Sequence, residues 1–166
     1  MIIGIGGVSR AGKTTLAEKL KKHFEKSKKT VKIFCQDEYV KPIISLQKVE
    51  GFPDWERPST IKWDALISAM DRSTADVKIV EGLFAFYAAS IRSEYDKKIF
   101  VDIDKPTFES RKSQDKRWDA EPAWYASHVW KSYLKYGQKK GGDEGYLTIS
   151  GHEDFNMKRI LIALEV

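Results

Sequence analysis

Short apolar runs alternate with amphipathic segments along the chain, and this alternation predicts strands separated by helices. The first run, residues 2–5, ends in glycines and is typical of a buried strand. Residues 13–26 carry apolar side chains at helical spacing, which predicts an amphipathic helix. Further apolar runs predict strands at 31–35, 77–80, 98–103 and 146–149. Further helices are predicted at 60–72, 106–116, 122–136 and 153–164.

Strands that alternate with helices predict an α/β fold, in which a parallel sheet is covered by helices on both faces. One segment breaks the alternation: residues 36–59 contain Pro42, Pro53 and Pro58 and show no clear periodicity. An irregular segment of this length inside a compact domain is usually functional. The sequence has no internal repeat and no linker rich in proline, glycine or serine. Residues 1–166 are therefore expected to form a single domain.

A glycine-rich motif follows the first predicted strand. Residues 7–14 read GVSRAGKT and match G-x-x-x-x-G-K-[ST] at every fixed position. In such a loop, backbone N–H groups converge on phosphate oxygens, the lysine reaches the β- and γ-phosphates, and the hydroxyl ligates Mg²⁺. The strand before the motif and the helix after it supply the structural context that the loop needs. The motif predicts that Mg·ATP is bound by Gly7, Ser9, Ala11, Gly12, Lys13, Thr14 and Thr15.

Two carboxylates lie at the ends of predicted strands, where ligands bind in open α/β sheets. Glu81 ends the strand at 77–80 and is the candidate that holds the metal, together with Thr14. Asp37 directly follows the second predicted strand and is the candidate base that orients an attacking hydroxyl and takes its proton. For both carboxylates the alternative interpretation is a cap of the following turn or loop.

The irregular segment and the predicted helix after residue 105 supply candidates for the acceptor side. Trp55 beside Glu56 suits a nucleoside, because the ring stacks on a base and the carboxylate accepts bonds from ribose hydroxyls. The alternative is a loop tryptophan that packs on the core. A basic cluster is a candidate for contacts with the transferred phosphoryl group or, alternatively, a solvated helix face; its members are Arg111, Lys112, Lys116 and Arg117. His128 has no second histidine or cysteine ligand nearby in sequence and is interpreted as structural.

Composition narrows the class of protein. Hydrophobic residues make up 42% and charged residues 32%, as in a soluble globular domain. No apolar stretch reaches the length of a membrane span, and there is no signal peptide, so the protein is expected in the cytoplasm and away from membranes. Cys35 is the sole cysteine, which excludes an intramolecular disulfide. The net charge of +5 permits an RNA-associated ATPase or a nucleotide-binding regulator as a remote alternative, although no nucleic-acid partner is expected.

Five sequence features together resemble the uridine kinase-like P-loop kinases. They are residues 2–16 (IIGIGGVSRAGKTTL), Gln36-Asp37, Glu81-Gly82, residues 98–104 (KIFVDID) and residues 128–136 (HVWKSYLKY). Within that group the HVW segment is most similar to the nicotinamide riboside kinases. The family usually has Tyr-Asp where this chain has Trp55-Glu56, and the segment before Glu81 and the lid are shorter here.

The resemblance implies a P-loop NTPase fold with three α/β/α layers and a five-stranded parallel sheet in the order 2-3-1-4-5. It implies an acceptor segment at about 36–60 and a short lid at about 111–124. The implied activity is phosphorylation of the 5′-hydroxyl of a ribonucleoside by ATP with Mg²⁺, with nicotinamide riboside as substrate or, alternatively, uridine or cytidine. Asp37 is then the base, Trp55 and Glu56 hold the nucleoside, Trp124 covers the other face of the base, and Arg111 and Arg117 contact phosphate. A monomer or a homodimer is expected.

Overall fold

The structure, a computed structural model, describes residues 1–115, 121–142 and 144–166. Within these residues the strands are β1 (Ile2–Gly6), β2 (Val31–Cys35), β3 (Lys48–Val49), β4 (Phe52–Pro53), β5 (Val77–Glu81), β6 (Lys97–Asp102) and β7 (Tyr146–Ser150). The α-helices are α1 (Lys13–Lys26), α2 (Trp63–Asp71), α3 (Ala89–Arg92), α4 (Lys105–Ser113), α5 (Tyr125–Tyr136) and α6 (Met157–Leu164). Short 3₁₀ helices occupy Gln36–Tyr39, Ile43–Ser45 and Pro58–Thr60.

Five strands form one parallel sheet in the order β2-β5-β1-β6-β7. Counted along the chain among these five strands alone, the order is 2-3-1-4-5. The register places Ile5 and Cys35 on either side of Glu81. The carboxyl ends of β1, β2 and β5 therefore meet at one edge of the sheet. We call it the carboxyl edge, and the glycine-rich loop, residues 36–37 and Glu81 all lie there.

The core is built from the central strands and the helices packed on them. Ile3 and Ile5 of β1 are fully buried, because β1 has a neighbouring strand on each side and helices cover the sheet. The apolar stripe of α1 is buried as its spacing predicts, through Leu16, Leu20 and Phe24. Helix α1 packs against β1, β2 and β5. This packing fixes the start of α1, and with it the glycine-rich loop, above the carboxyl edge.

Several element boundaries differ from those that the sequence predicts. The strand at 31–35 and the helix at 13–26 have the predicted bounds. The helix predicted at 153–164 begins only at Met157, since the Asn156 side chain accepts a hydrogen bond from Arg159 N and caps it there. The helix predicted at 122–136 begins at Tyr125. Residues 36–59, predicted to be irregular, contain the antiparallel β3–β4 hairpin, and helix α3 was not predicted.

Among the described residues, the structure contains no helix with both the length and the apolar character that crossing a membrane requires.

Candidate active site

The glycine-rich loop turns tightly between β1 and α1. Gly7 has φ +142°, and a Cβ placed there would lie 2.3 Å from the Val101 carbonyl oxygen, so no larger residue fits. Gly12 has φ +101°, in the left-handed region that favours glycine. Helix α1 begins immediately afterwards at Lys13, whose Nζ donates a hydrogen bond to Val8 O at 2.9 Å. A helix start preceded by a glycine-rich turn is an arrangement that binds phosphate.

A hydroxyl and a carboxylate form a close pair beside this loop. Thr14 Oγ1 donates to Glu81 Oε1 at 2.8 Å, and Glu81 is almost fully buried. Both groups offer hard oxygen ligands, which Mg²⁺ prefers, and a nucleotide-bound Mg²⁺ takes its remaining ligands from phosphates and water. Burial, together with the negative charges of Glu81 and Asp37, raises the pKa of the neighbouring Cys35 to about 12. The residues at this position therefore fit a magnesium ion.

A cavity of about 440 Å³ joins the glycine-rich loop to the acceptor segment. Ser9, Lys13 and Thr14 line it from the loop, and Asp37 and Glu81 line it from the strand ends. The acceptor segment and α5 contribute a further part of the wall, through Phe52, Trp55, Glu56 and Tyr125. Phosphate-binding groups, a candidate base and a ring beside a carboxylate thus face one space.

The carboxyl group of Glu56 is strongly perturbed in this cavity. Burial raises its pKa to about 7, and the negative charges of Asp37 and Asp54 act in the same direction. The positive charge of Lys112 and a hydrogen bond from Tyr125 Oη, 3.4 Å from Oε1, oppose this shift. A carboxyl group whose pKa lies near neutral pH changes its charge in the range in which enzymes work.

An ion pair on the cavity wall joins α4 to the segment that precedes α5. Lys112 Nζ lies 2.7 Å from Glu121 Oε2, and only 8% of the Lys112 side chain is exposed. Lys112 and Glu121 both line the cavity. The pair therefore places a positive charge close to Glu56 and links α4 to Glu121 across the cavity wall.

No protein-family model matches the chain. Individual proteins, however, align with more than half of it. Human nicotinamide riboside kinase 1 is 27% identical over 157 residues, an alignment that covers 83% of this chain and 77% of that protein. Uridine kinase from Chlamydia pneumoniae is 31% identical over 132 residues, covering 63% of this chain and 58% of that protein. In sequence the chain is similar to the uridine kinase-like P-loop kinases. It is accordingly an enzyme, a phosphotransferase.

A solved structure agrees with this P-loop kinase in fold. A gluconokinase from Sinorhizobium meliloti superposes with a TM-score of 0.65 and 16% identity, covering 98% of this chain and 90% of that one. At this identity the likeness bears on the fold alone.

Most site residues predicted for this kinase from its sequence lie at the cavity or in its loop. Ser9, Lys13, Thr14, Asp37, Trp55, Glu56 and Glu81 line the cavity. Gly7, Ala11 and Gly12 form the loop itself, and Thr15 is exposed on the first turn of α1. The structure thus brings the phosphate-binding candidates and the acceptor candidates together, as the order of the strands requires.

Two predicted residues are placed differently, and a third lies outside the described residues. Arg111 is not part of the cavity wall; its guanidinium donates to Arg10 O at 3.1 Å and to His152 O at 3.2 Å. Trp124 is also absent from the wall, and its ring contacts those of Phe52 and Tyr125 at centroid distances of 6.4 and 5.5 Å. Arg117 lies outside the described residues.

Sequence reasoning missed part of the cavity wall of this kinase. Phe52 and Tyr125 were not singled out, and Lys112 was noted only as a member of a basic cluster. The signal for Tyr125 is its helical spacing, since it lies four residues before Val129, which also lines the cavity. Phe52 belongs to a two-residue strand too short to show any periodicity.

Proposed function

We propose that the chain transfers the γ-phosphoryl group of ATP to the 5′-hydroxyl of a ribonucleoside, with nicotinamide riboside as the preferred acceptor and its mononucleotide as product. The observation that carries the proposal is the shared cavity. Lys13 and Thr14 of the glycine-rich loop line the same space as Asp37 and the Trp55–Glu56 pair. Relatives named nicotinamide riboside kinase and uridine kinase support a nucleoside as the acceptor.

On the donor side, backbone N–H groups of residues 7–13 and the ammonium group of Lys13 hold the phosphates of ATP. Lys13 Nζ exchanges its bond to Val8 O for a phosphate oxygen. Thr14 and Glu81 would hold Mg²⁺ or its water ligands. When bound, the ion supplies positive charge that neutralises the phosphate oxygens during transfer.

On the acceptor side, Asp37 accepts a hydrogen bond from the 5′-hydroxyl and takes its proton as the oxygen attacks phosphorus. The new O–P bond forms as the bond between the γ-phosphorus and the β–γ bridging oxygen breaks, and ADP leaves. Lid cations stabilise the charge on the transferred group, and Arg111 and Arg117 remain the proposed residues for this role.

The nucleoside is held by the aromatic and acidic part of the cavity. Trp55 stacks on the base, Glu56 accepts bonds from the ribose hydroxyls, and Trp124 covers the base from its other face. Carboxylates and aromatic rings favour a cationic base, such as the pyridinium ring of nicotinamide riboside, over a neutral one, since a cation–π contact contributes roughly 0.5–2 kcal/mol. Glu56 and Glu121 line this cavity together with Phe52, Trp55 and Tyr125.

A panel of nucleosides with Mg·ATP tests the proposal, with ADP release as the readout. We expect turnover with nicotinamide riboside well above that with uridine or cytidine. Turnover with uridine or cytidine, and none with nicotinamide riboside, would establish the second candidate, a uridine/cytidine kinase. The uridine kinase relatives favour this candidate. If none of the nucleosides in the panel is phosphorylated, both candidate functions are contradicted.

A further inference from the structure

The proposed function leaves one fully buried carboxylate without a role. Asp54, directly before Trp55 and Glu56, is 0% exposed and accepts three hydrogen bonds. Its Oδ1 accepts from Glu56 N at 3.1 Å and pairs with His128 Nε2 at 2.8 Å. Its Oδ2 accepts from Arg57 Nε. Asp54 therefore connects the acceptor segment to helix α5.

The chemistry of this cluster fixes its protonation. Burial opposes ionisation of Asp54, but the hydrogen bonds from His128, Arg57 and Glu56 N outweigh burial and hold the pKa of Asp54 below its usual value. An ionised carboxylate only accepts hydrogen bonds, so His128 must carry a proton on Nε2. Loss of one of these partners would leave the buried charge of Asp54 incompletely compensated, which is strongly unfavourable. The hydrogen bonds of Asp54 therefore restrain the position of the acceptor segment.

One face of α5 donates hydrogen bonds to the side chain and to the backbone carbonyl of Glu56. Tyr125, His128 and Ser132 are spaced by three and four residues and share a helix face. Tyr125 Oη donates to the Glu56 carboxylate at 3.4 Å, and Ser132 Oγ donates to Glu56 O. His128 contacts Glu56 indirectly, because it bonds the Asp54 oxygen that also accepts a hydrogen bond from Glu56 N.

We propose that the Asp54–His128 pair positions the Glu56 carboxylate for the ribose hydroxyls and thereby sets the preference for ribonucleosides over 2′-deoxyribonucleosides. The inference rests on the proposed function, because it concerns the acceptor site of that reaction. His128 is in this account a positioning residue, since it contacts Asp54 and not the substrate. Its effect falls on nucleoside binding and on sugar selectivity, and ATP binding is unaffected.

Two substitutions at residue 128 separate the hydrogen bond from the bulk of the side chain. In His128→Gln the amide Nε2 occupies about the same distance along the side chain as the imidazole Nε2 and still donates to Asp54, whereas His128→Leu has no donor. We expect H128L to raise the KM for the ribonucleoside about tenfold, since hydrogen bonds to charged groups are the strong ones. The KM for the 2′-deoxyribonucleoside changes little, the selectivity between the two sugars narrows, and H128Q retains wild-type values. His23→Leu, on the partly exposed side of α1, is the matched control and is expected to match wild type.

A double-mutant cycle asks whether His128 acts through Glu56. In a Glu56→Gln background, adding H128L is expected to raise KM little further, because coupled residues are not additive. Full additivity would overturn the proposal. An unchanged ratio of the ribonucleoside KM to the deoxyribonucleoside KM in H128L would also overturn the proposal. The kinase assignment itself would stand in that case, provided that the wild-type protein is active.

If thermal melts show that H128L does not fold, His128→Asn replaces it. The Asn amide is too short to reach Asp54, so this variant must show the same rise in KM. Unfolding of both variants would assign His128 to stability alone.

Discussion

Asp37 lies directly after β2 and lines the same cavity as Lys13. In Asp37→Asn the side chain keeps its size and can still hydrogen-bond a hydroxyl, but it cannot take the proton. We expect kcat to fall on the order of 10²-fold or more, within the range of general-base contributions, while both substrates still bind. Steady-state kinetics with each substrate varied measures this. Glu38→Gln, an exposed neighbour, is the control and should retain kcat; full kcat in D37N would remove Asp37 from the mechanism.

Ionisation of Glu56 is expected to strengthen nucleoside binding and to lower the stability of the fold as pH rises. Its carboxyl group becomes charged as the pH rises through its pKa of about 7, and the KM for the nucleoside is expected to fall over that range, because a carboxylate is the stronger acceptor. Stability runs the other way. Between its ordinary value of 4.5 and about 7 the folded chain keeps a proton that the unfolded chain has released, so the free energy of unfolding falls as pH rises through this window.

Glu56→Gln is expected to flatten the contribution of this group to both profiles. KM measured from pH 6 to 8 and denaturant unfolding measured from pH 4.5 to 7 provide the two readouts. A wild-type nucleoside KM with no inflection near pH 7 would place the ribose contact elsewhere.

At the scale of elements, the β3–β4 hairpin and α5 both contribute to the part of the cavity that is proposed to hold the nucleoside. The two tryptophans proposed to contact the base differ in their position relative to this cavity. Trp55 lines the cavity, whereas Trp124 contacts Phe52 and Tyr125. We expect Trp55→Ala to raise the KM for the nucleoside roughly tenfold or more, as a stacking face is worth roughly 1–3 kcal/mol. Trp124→Ala is expected to raise it as well, and the KM for ATP should change in neither variant.

Thermal melts accompany these measurements, because both tryptophans also pack against the core. If W55A is unfolded, Trp55 is a core residue and the stacking role is wrong. If W124A leaves KM unchanged, the base is covered by Phe52 and Tyr125, which line the cavity in the structure.

The elements that the sequence predicts well are those whose periodicity is long enough to read. Helix α1 has fourteen residues with an apolar stripe and has the predicted bounds, and the motif before it identifies Lys13 and Thr14 directly. Asp37 and Glu81 were predicted from strand ends alone, because parallel strands place their carboxyl ends together. Phe52 could not be predicted, since its strand has two residues. The Asp54–His128 contact could not be predicted either, because it joins residues 74 positions apart through a loop of no regular pattern.

At the scale of the whole molecule, the core and the site can be perturbed separately. Leu20 of α1 is fully buried, and Leu20→Ala is expected to lower the free energy of unfolding by about 2–5 kcal/mol, while kcat of the folded fraction is retained. Lys13→Ala is expected to do the reverse, with loss of most activity and a thermal midpoint close to wild type, because Lys13 Nζ donates its hydrogen bond to a backbone carbonyl of the loop, Val8 O. Near wild-type turnover in K13A would contradict the phosphate-loop assignment.

The hydrogen bonds that hold Glu56 and Asp54 span 69, 74 and 76 positions of the chain, and this has a consequence for the order in which the protein acquires its parts. In a growing polypeptide the glycine-rich loop and Glu81 leave the ribosome before the partner face of α5 does. Closing so large a loop is entropically costly and slow. During synthesis, the nucleoside site therefore takes shape after the strand pairing of β1, β2 and β5, and a nascent chain released before α5 carries the phosphate loop without a place for the acceptor.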